Sequence, residues 1–217
     1  MFKGTNASSG IGIGTARVVE EADLVIEKKT VADADAEVTR FKGALDKTMK
    51  DTEALAADLA TRVGEKEAEI LQGHMMLLMD PALTGEIENT IKGENICSEF
   101  AVEMVCTMYA NVFAGMDDEL MQQRATDMRD IKTRMQRVLL GVDSVDIASL
   151  PEGSILVAKD LTPSMTAGIN PKNVTGIVTE LGGKTSHSAI LARALEIPAV
   201  VAVSDFLSEV KNGDFVI

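Results

Sequence analysis

From Asp33 to about Gly141, inward-facing positions recur every three or four residues. Val38, Phe41, Leu45, Thr48, Thr52, Leu55 and Leu59 step 3, 4, 3, 4, 3, 4, and Met128, Ile131, Met135 and Val138 repeat the step further on. That period matches the 3.6-residue turn, so it predicts amphipathic helices. Gly64, Asp80-Pro81, Gly93 and Gly115 predict breaks, and Gly141 an end, giving five helical pieces. Helices joined this closely bury their apolar stripes as an antiparallel bundle.

The period then changes. Ser154 to Lys159, Val174 to Thr179 and Ile197 to Val203 are short β-branched runs bounded by Gly, Pro, Asn and Asp, as in strands covered on both faces. Phe215 to Ile217 starts another, and Ile11 to Val19 reads as a strand after a Ser-Ser-Gly turn. Between the strands, Ser186 to Leu195 has helical spacing with Ile190 and Leu191 facing in. The simplest topology is a sheet built from both ends of the chain, with the helices inserted in the middle.

Composition narrows the function more than the fold. The 217 residues are 46% hydrophobic, enough for a packed core, and no run approaches the roughly 20 apolar residues that cross a bilayer. The N-terminus lacks a signal-peptide core, so the cytoplasm is the default location. A formal net charge of −13 argues against nucleic acid or an anionic membrane as partner and for a basic protein. Residues 148–217 hold seven acids and five bases, which leaves −11 on residues 1–147. Cys97 and Cys106, nine apart, would face opposite sides of a helix and read as small core residues. With two histidines and no CxxC or HxxxH spacing, no metal site is expected in this chain.

Candidate chemistry gathers where a strand gives way to a helix, at Gly182-Gly183-Lys184-Thr185-Ser186-His187-Ser188. The first turn of a helix presents unpaired N–H groups and partial positive charge, which suit a phosphate. Glycines allow close approach, the hydroxyls donate, and Lys184 adds a charge. An imidazole there is held toward its neutral form, the nucleophile that phosphoryl transfer needs. On these residues alone, a capping Thr or Ser followed by an incidental histidine fits as well. The spacing GxxxxGK[ST] of a Walker P-loop is absent.

The run GGKTSHSAILARALEIPAVV, Gly182 to Val201, closely resembles the phosphohistidine signature of enzyme I of the phosphoenolpyruvate-dependent sugar phosphotransferase system, and of pyruvate phosphate dikinase and phosphoenolpyruvate synthase. Asp160-Leu161-Thr162-Pro163-Ser164-Met165-Thr166-Ala167, Gly73 to Leu78 and Arg124 to Ile131 are similar to enzyme I segments. The resemblance implies an α/β fold: a phosphohistidine swivelling-type sheet domain at 1–32 and 142–217, with an antiparallel α-helical bundle inserted at 33–141. It implies that His187 accepts the phosphoryl group, with Thr166, Gly183, Lys184, Thr185 and Ser186 in support. HPr, a small phosphocarrier, would dock on the insert at Glu65, Glu67, Glu69, His74, Met76, Leu77, Asp80, Leu83 and Arg124. His74 receives no catalytic role.

Lys184 stands where arginine is usual, and Ala202 replaces a common glycine. The family continues into a phosphoenolpyruvate-binding domain, with which Mg2+ is expected, and the full-length enzyme is expected to be a homodimer; no cofactor is expected in this chain. The rival readings are the swivelling domain of a dikinase or synthase, and a non-catalytic helical interaction module. On spacing alone, the acids from Glu65 to Glu88 read first as an ordinary solvated face, and only the resemblance favours docking.

Overall fold

The computed structural model describes residues 2–20 and 24–217, with Glu119 described by its main chain only. Met1 and residues 21–23, part of the expected segment 1–32, lie outside the described residues. The chain divides into two compact units: Met1–Glu21, Asp58–Ala68 and Val145–Ile217 form one, and Ala22–Ala57 with Glu69–Ser144 form the other. Residues 58–68, expected in the helical insert, thus pack with the sheet.

The sheet unit begins with β1 (Thr5–Ser8) and β2 (Gly14–Val19). The single strand expected over Ile11–Val19 is therefore shorter, and an unforeseen strand precedes it; Ile11 itself is exposed. Then come α1 (Ala34–Arg62), α2 (Glu65–Leu78), α3 (Pro81–Glu94), α4 (Ser98–Ala114) and α5 (Glu119–Leu140). The chain returns with β3 (Ser154–Ala158), α6 (Pro163–Ala167), β4 (Val174–Thr179), α7 (His187–Ala194), β5 (Ala199–Val201), α8 (Phe206–Glu209) and β6 (Phe215–Val216).

The strand order is β1-β5-β4-β3-β2-β6. The four central strands are parallel, and β1 and β6 close the edges antiparallel. All five residues of β3 are buried because alternate side chains serve opposite faces. Leu156 and Ala158 pack with Ile177, Ala189 and Ala192, while Ile155 and Val157 pack with Val203 and Phe206. Helix α7 thus lies on the first face and α8 on the second. The inward side of α7 is Ser188, Ala189, Leu191 and Ala192. Ile190, expected to face in, is 38% exposed, because a helix covered on one side turns the residue between 189 and 191 to solvent.

In the helical unit, Val38 and Phe41 join Leu78, Ile87, Ile91, Met128, Ile131 and Met135 in one core. Each large side chain so enclosed contributes about 1.5–3 kcal/mol. Local signals start and end these helices. Asp80 caps α3 through Ala82 N–H at 2.8 Å with Pro81 at its first position, and Gly141 ends α5 at φ 66°. Gly93 does not break the chain: α3 runs on to Glu94 and is stopped by Asn95 at φ 52°, an αL cap that asparagine tolerates. Both cysteines are free and buried, Cys97 at the N-cap of α4; burial pushes the Cys106 thiol up to about 12.

Candidate functional site

Parallel strands present their carboxyl ends together, where open α/β sheets bind ligands. Here the ends of β3 and β4 are joined: Glu180 N–H donates to Ala158 O at 3.2 Å and Leu181 N–H to Lys159 O at 2.8 Å. Asp160, just after β3, therefore lies beside the loop that follows β4. That loop turns at Gly182, whose φ of 97° suits glycine. Gly183 has nothing within 4 Å of where a Cβ would be, and Lys184 and Thr185 are exposed.

His187 is the first residue of α7 and half-buried. Ser186 caps the helix: its Oγ accepts from Ala189 N–H at 3.3 Å, bonds Gly183 O at 2.8 Å and lies 2.9 Å from Ser188 Oγ. Ser188 is buried, so two hydroxyls fix the turn on which the imidazole stands. Arg193 holds the same loop from the other side, donating to Lys184 O at 3.1 Å and Ala7 O at 3.0 Å.

Helix α6 packs against α7. Its Thr162 caps it through Met165 N–H, and Pro163 occupies its first position. Thr166 is buried, and its hydroxyl donates to Pro163 O at 2.9 Å and Thr162 O at 3.1 Å. With its single proton committed to carbonyls, Thr166 Oγ1 keeps only lone pairs to offer a ring N–H.

Asp160 carried no role in the expectations from sequence. It is exposed, yet its carboxyl group is partly screened from water, and that desolvation raises its pKa; a hydrogen bond from Leu161 N–H at 2.8 Å and the charge of His187 pull the other way. A carboxylate and a half-buried imidazole thus share one field at the mouth of the sheet. The signal available in sequence was position alone: an aspartate directly after a buried strand and before a Thr-Pro helix start.

The expected docking residues divide. Glu65, Glu69 and Met76 are exposed on α2 at helical spacing, Met76 by 71%, with Met79 following at 63%. Glu67, Leu77, Asp80 and Arg124 are half-buried, and Leu77 packs on the core. His74 and Leu83 are a correction: both are enclosed and present no surface to a partner. His74 shares the inward stripe of Leu71 and Leu78, and Leu83 that of Ile87 and Ile91. His74 Nε2 lies 3.3 Å from Asp127 Oδ1 and its Nδ1 3.9 Å from Asp130 Oδ2, so it joins α2 to α5 internally. Arg124 fits against Gly73, where a Cβ would collide with its Nη1, and reaches Asp127 at 3.6 Å.

Two family models match: the PEP-utilising enzyme N-terminal domain over residues 3–124, and the PEP-utilising enzyme mobile domain over residues 150–217. The chain belongs to the phosphoenolpyruvate-utilising enzymes. Among family relatives, the phosphoenolpyruvate-protein phosphotransferases of Priestia megaterium and Bacillus subtilis are 41% and 40% identical over 216 residues. This chain spans about 38% of the length of each. The NMR solution structure of an Enzyme I protein superposes with a TM-score of 0.84 at 39% identity, covering 99% of this chain and 88% of that one. The N-terminal domain of a nitrogen Enzyme 1 shares the fold at 23% identity and a TM-score of 0.66. The α/β architecture expected from the signature is thus that of the Enzyme I N-terminal domain, the segment bearing His187 lies in the part matched as the mobile domain, and among the described residues no helix is long and apolar enough to cross a membrane.

Proposed function

We propose that this chain is the phosphoryl-carrying part of a phosphoenolpyruvate-protein phosphotransferase, with His187 as the acceptor. Supporting this chiefly is the position of His187: first residue of a capped helix, flanked by Ser186 and Ser188, at the carboxyl end of a parallel sheet. In the first step a neutral imidazole nitrogen forms a P–N bond as the P–O bond to the enol oxygen breaks; the enolate leaves and is protonated to pyruvate. In the second, a histidine nitrogen of HPr takes the phosphoryl group and the imidazole of His187 recovers its lone pair. Thr166 Oγ1 accepts the other ring N–H and fixes the tautomer, while Gly183, Lys184, Thr185 and the first-turn N–H groups receive phosphoryl oxygens.

Phosphoenolpyruvate and the Mg2+ that neutralises its phosphate are assigned to the part of the longer relatives that this chain does not span. Among the described residues no group of three or more His, Cys, Asp or Glu could hold a metal ion. HPr is assigned to the exposed stripe of α2, where acids steer a basic partner and thioethers adapt to it. The parent enzyme is a cytoplasmic homodimer in this reading.

The test is incubation with labelled phospho-HPr. Acid-labile, base-stable label should reach one equivalent, map to His187 and vanish in His187→Gln with the fold intact. Label retained in that variant would overturn the assignment.

A further inference from the structure

Arg62 is the last residue of α1, and its guanidinium makes three sets of contacts inside the sheet unit. Nε donates to Asp58 Oδ2 at 2.7 Å, Nη1 to Ile169 O at 2.7 Å, and Nη2 to Ala167 O. Ala167 and Ile169 are each 1% exposed, so these carbonyls have little access to water. Ala167 is the last residue of α6, the helix packed on α7, and Ile169 lies two residues beyond it.

Between them the chain is already tight. Gly168 N–H bonds Met165 O at 3.1 Å and Ile169 N–H bonds Thr166 O at 3.1 Å. Thr166 is thereby held at three points: its hydroxyl on the first turn of α6, its carbonyl on Ile169, and its neighbour's carbonyl on Arg62. A five-residue helix has too few internal bonds to keep its own orientation. A planar fork that is always charged and holds two carbonyls supplies what the helix lacks, and Asp58 keeps that fork in plane.

We infer that Arg62 is a positioning residue for the His187 site, acting through α6: it fixes where Thr166 meets the imidazole, without touching phosphate or ring. The inference rests on the reading of His187 as phosphoryl acceptor. Displacing a catalytic partner by an ångström costs up to about 100-fold in rate. Losing both carbonyl bonds predicts about a 10-fold to 100-fold slower transfer in Arg62→Ala. In Arg62→Lys, the ammonium keeps the charge but is a single point without the planar fork that meets Ile169 O and Ala167 O from two nitrogens, so the loss should be intermediate. Asp58→Asn, which keeps the arginine and weakens only its orientation, should cost several-fold at most.

The experiment measures the initial rate at which phospho-HPr labels the parent chain, Arg62→Ala, Arg62→Lys and Asp58→Asn, normalised to folded protein, with the ring nitrogen resonances of His187 in each. The expected result is a loss of rate that grows from Asp58→Asn through Arg62→Lys to Arg62→Ala, accompanied by a graded shift of the His187 ring nitrogens. An unlabelled parent would sink the acceptor reading itself. A labelled parent, with Arg62→Lys and Asp58→Asn at the parental rate and ring shifts unmoved, would overturn the role of Arg62, even if Arg62→Ala failed to fold.

Discussion

Ala202 offers a substitution whose sign runs against expectation for alanine-to-glycine changes. It follows β5 with φ at 56°, in the left-handed region where an L side chain brings Cβ against its own carbonyl. That crowding costs about 1–2 kcal/mol. Glycine removes it, at an entropic cost of about 0.5–1 kcal/mol. The methyl group is on an exposed residue, so little buried area is lost. Ala202→Gly should therefore stabilise the sheet unit by about 0.5–1 kcal/mol, or raise its melting temperature by about 1–4 °C for a domain of this size. The hydrogen bonds that tie this turn to the loop before His187, Ala202 N–H to Leu181 O and Val203 N–H to Thr179 O, use main-chain atoms and should survive. Urea unfolding followed by circular dichroism reads the change, with Ala54→Gly in the exposed middle of α1 as a control expected to lose about 1 kcal/mol. If Ala202→Gly lost as much stability as Ala54→Gly, the account of strain at this turn would be wrong.

Ser186→Ala should destabilise by about 1–2 kcal/mol in the same assay, because α7 loses its cap and the buried Ser188 hydroxyl loses a partner; unchanged stability would remove Ser186 from the architecture of the site. Asp160→Asn should stabilise the fold at neutral pH. Burial raises the pKa of Asp160 above its unfolded value, so the folded state resists its ionised form and stability falls as pH rises through the folded pKa. The gap between variant and parent should close on acidification below that pKa, and a gap that widened on acidification would refute the sign.

How far the sequence could be read depended on how many residues spoke for each feature. Long helices repeat their signal over many turns, so α1 and α5 were plain, as was the return from helix period to strand runs. Short elements carry few residues and no period. Helix α6 has five residues and β1 four, and both exist because neighbours complete their hydrogen bonds. Gly93 misled because glycine costs an exposed helix interior only about 1 kcal/mol, which the buried Ile87 and Ile91 offset. The helix start at His187 was legible because its cap, hydroxyls and glycines are contiguous, whereas the acceptor role came from the resemblance alone. Asp160 was not legible, because it joins the site only through the pairing of β3 with β4. His74 stands three residues after Leu71 and four before Leu78, so helical spacing agrees with its burial; only the resemblance put it among the docking residues.

The division of the sheet between the two ends of the chain also sets the order in which it can form. Strand β2 pairs with β3, whose first residue comes about 135 residues after the last of β2. At about 5–20 residues per second of synthesis, β2 waits roughly 7–27 s for its partner, and closing that span costs about 4 kcal/mol of chain entropy if the segment between is still loose. The helices in between have their core residues within one stretch of chain and can condense meanwhile. The waiting strand, Gly14 to Val19, is suited to delay: Arg17 interrupts it and only Val18 and Val19 are large apolar residues, a composition that resists premature pairing with other chains. The wholly buried strand, Ser154 to Ala158, is made only when β2 is already present to receive it.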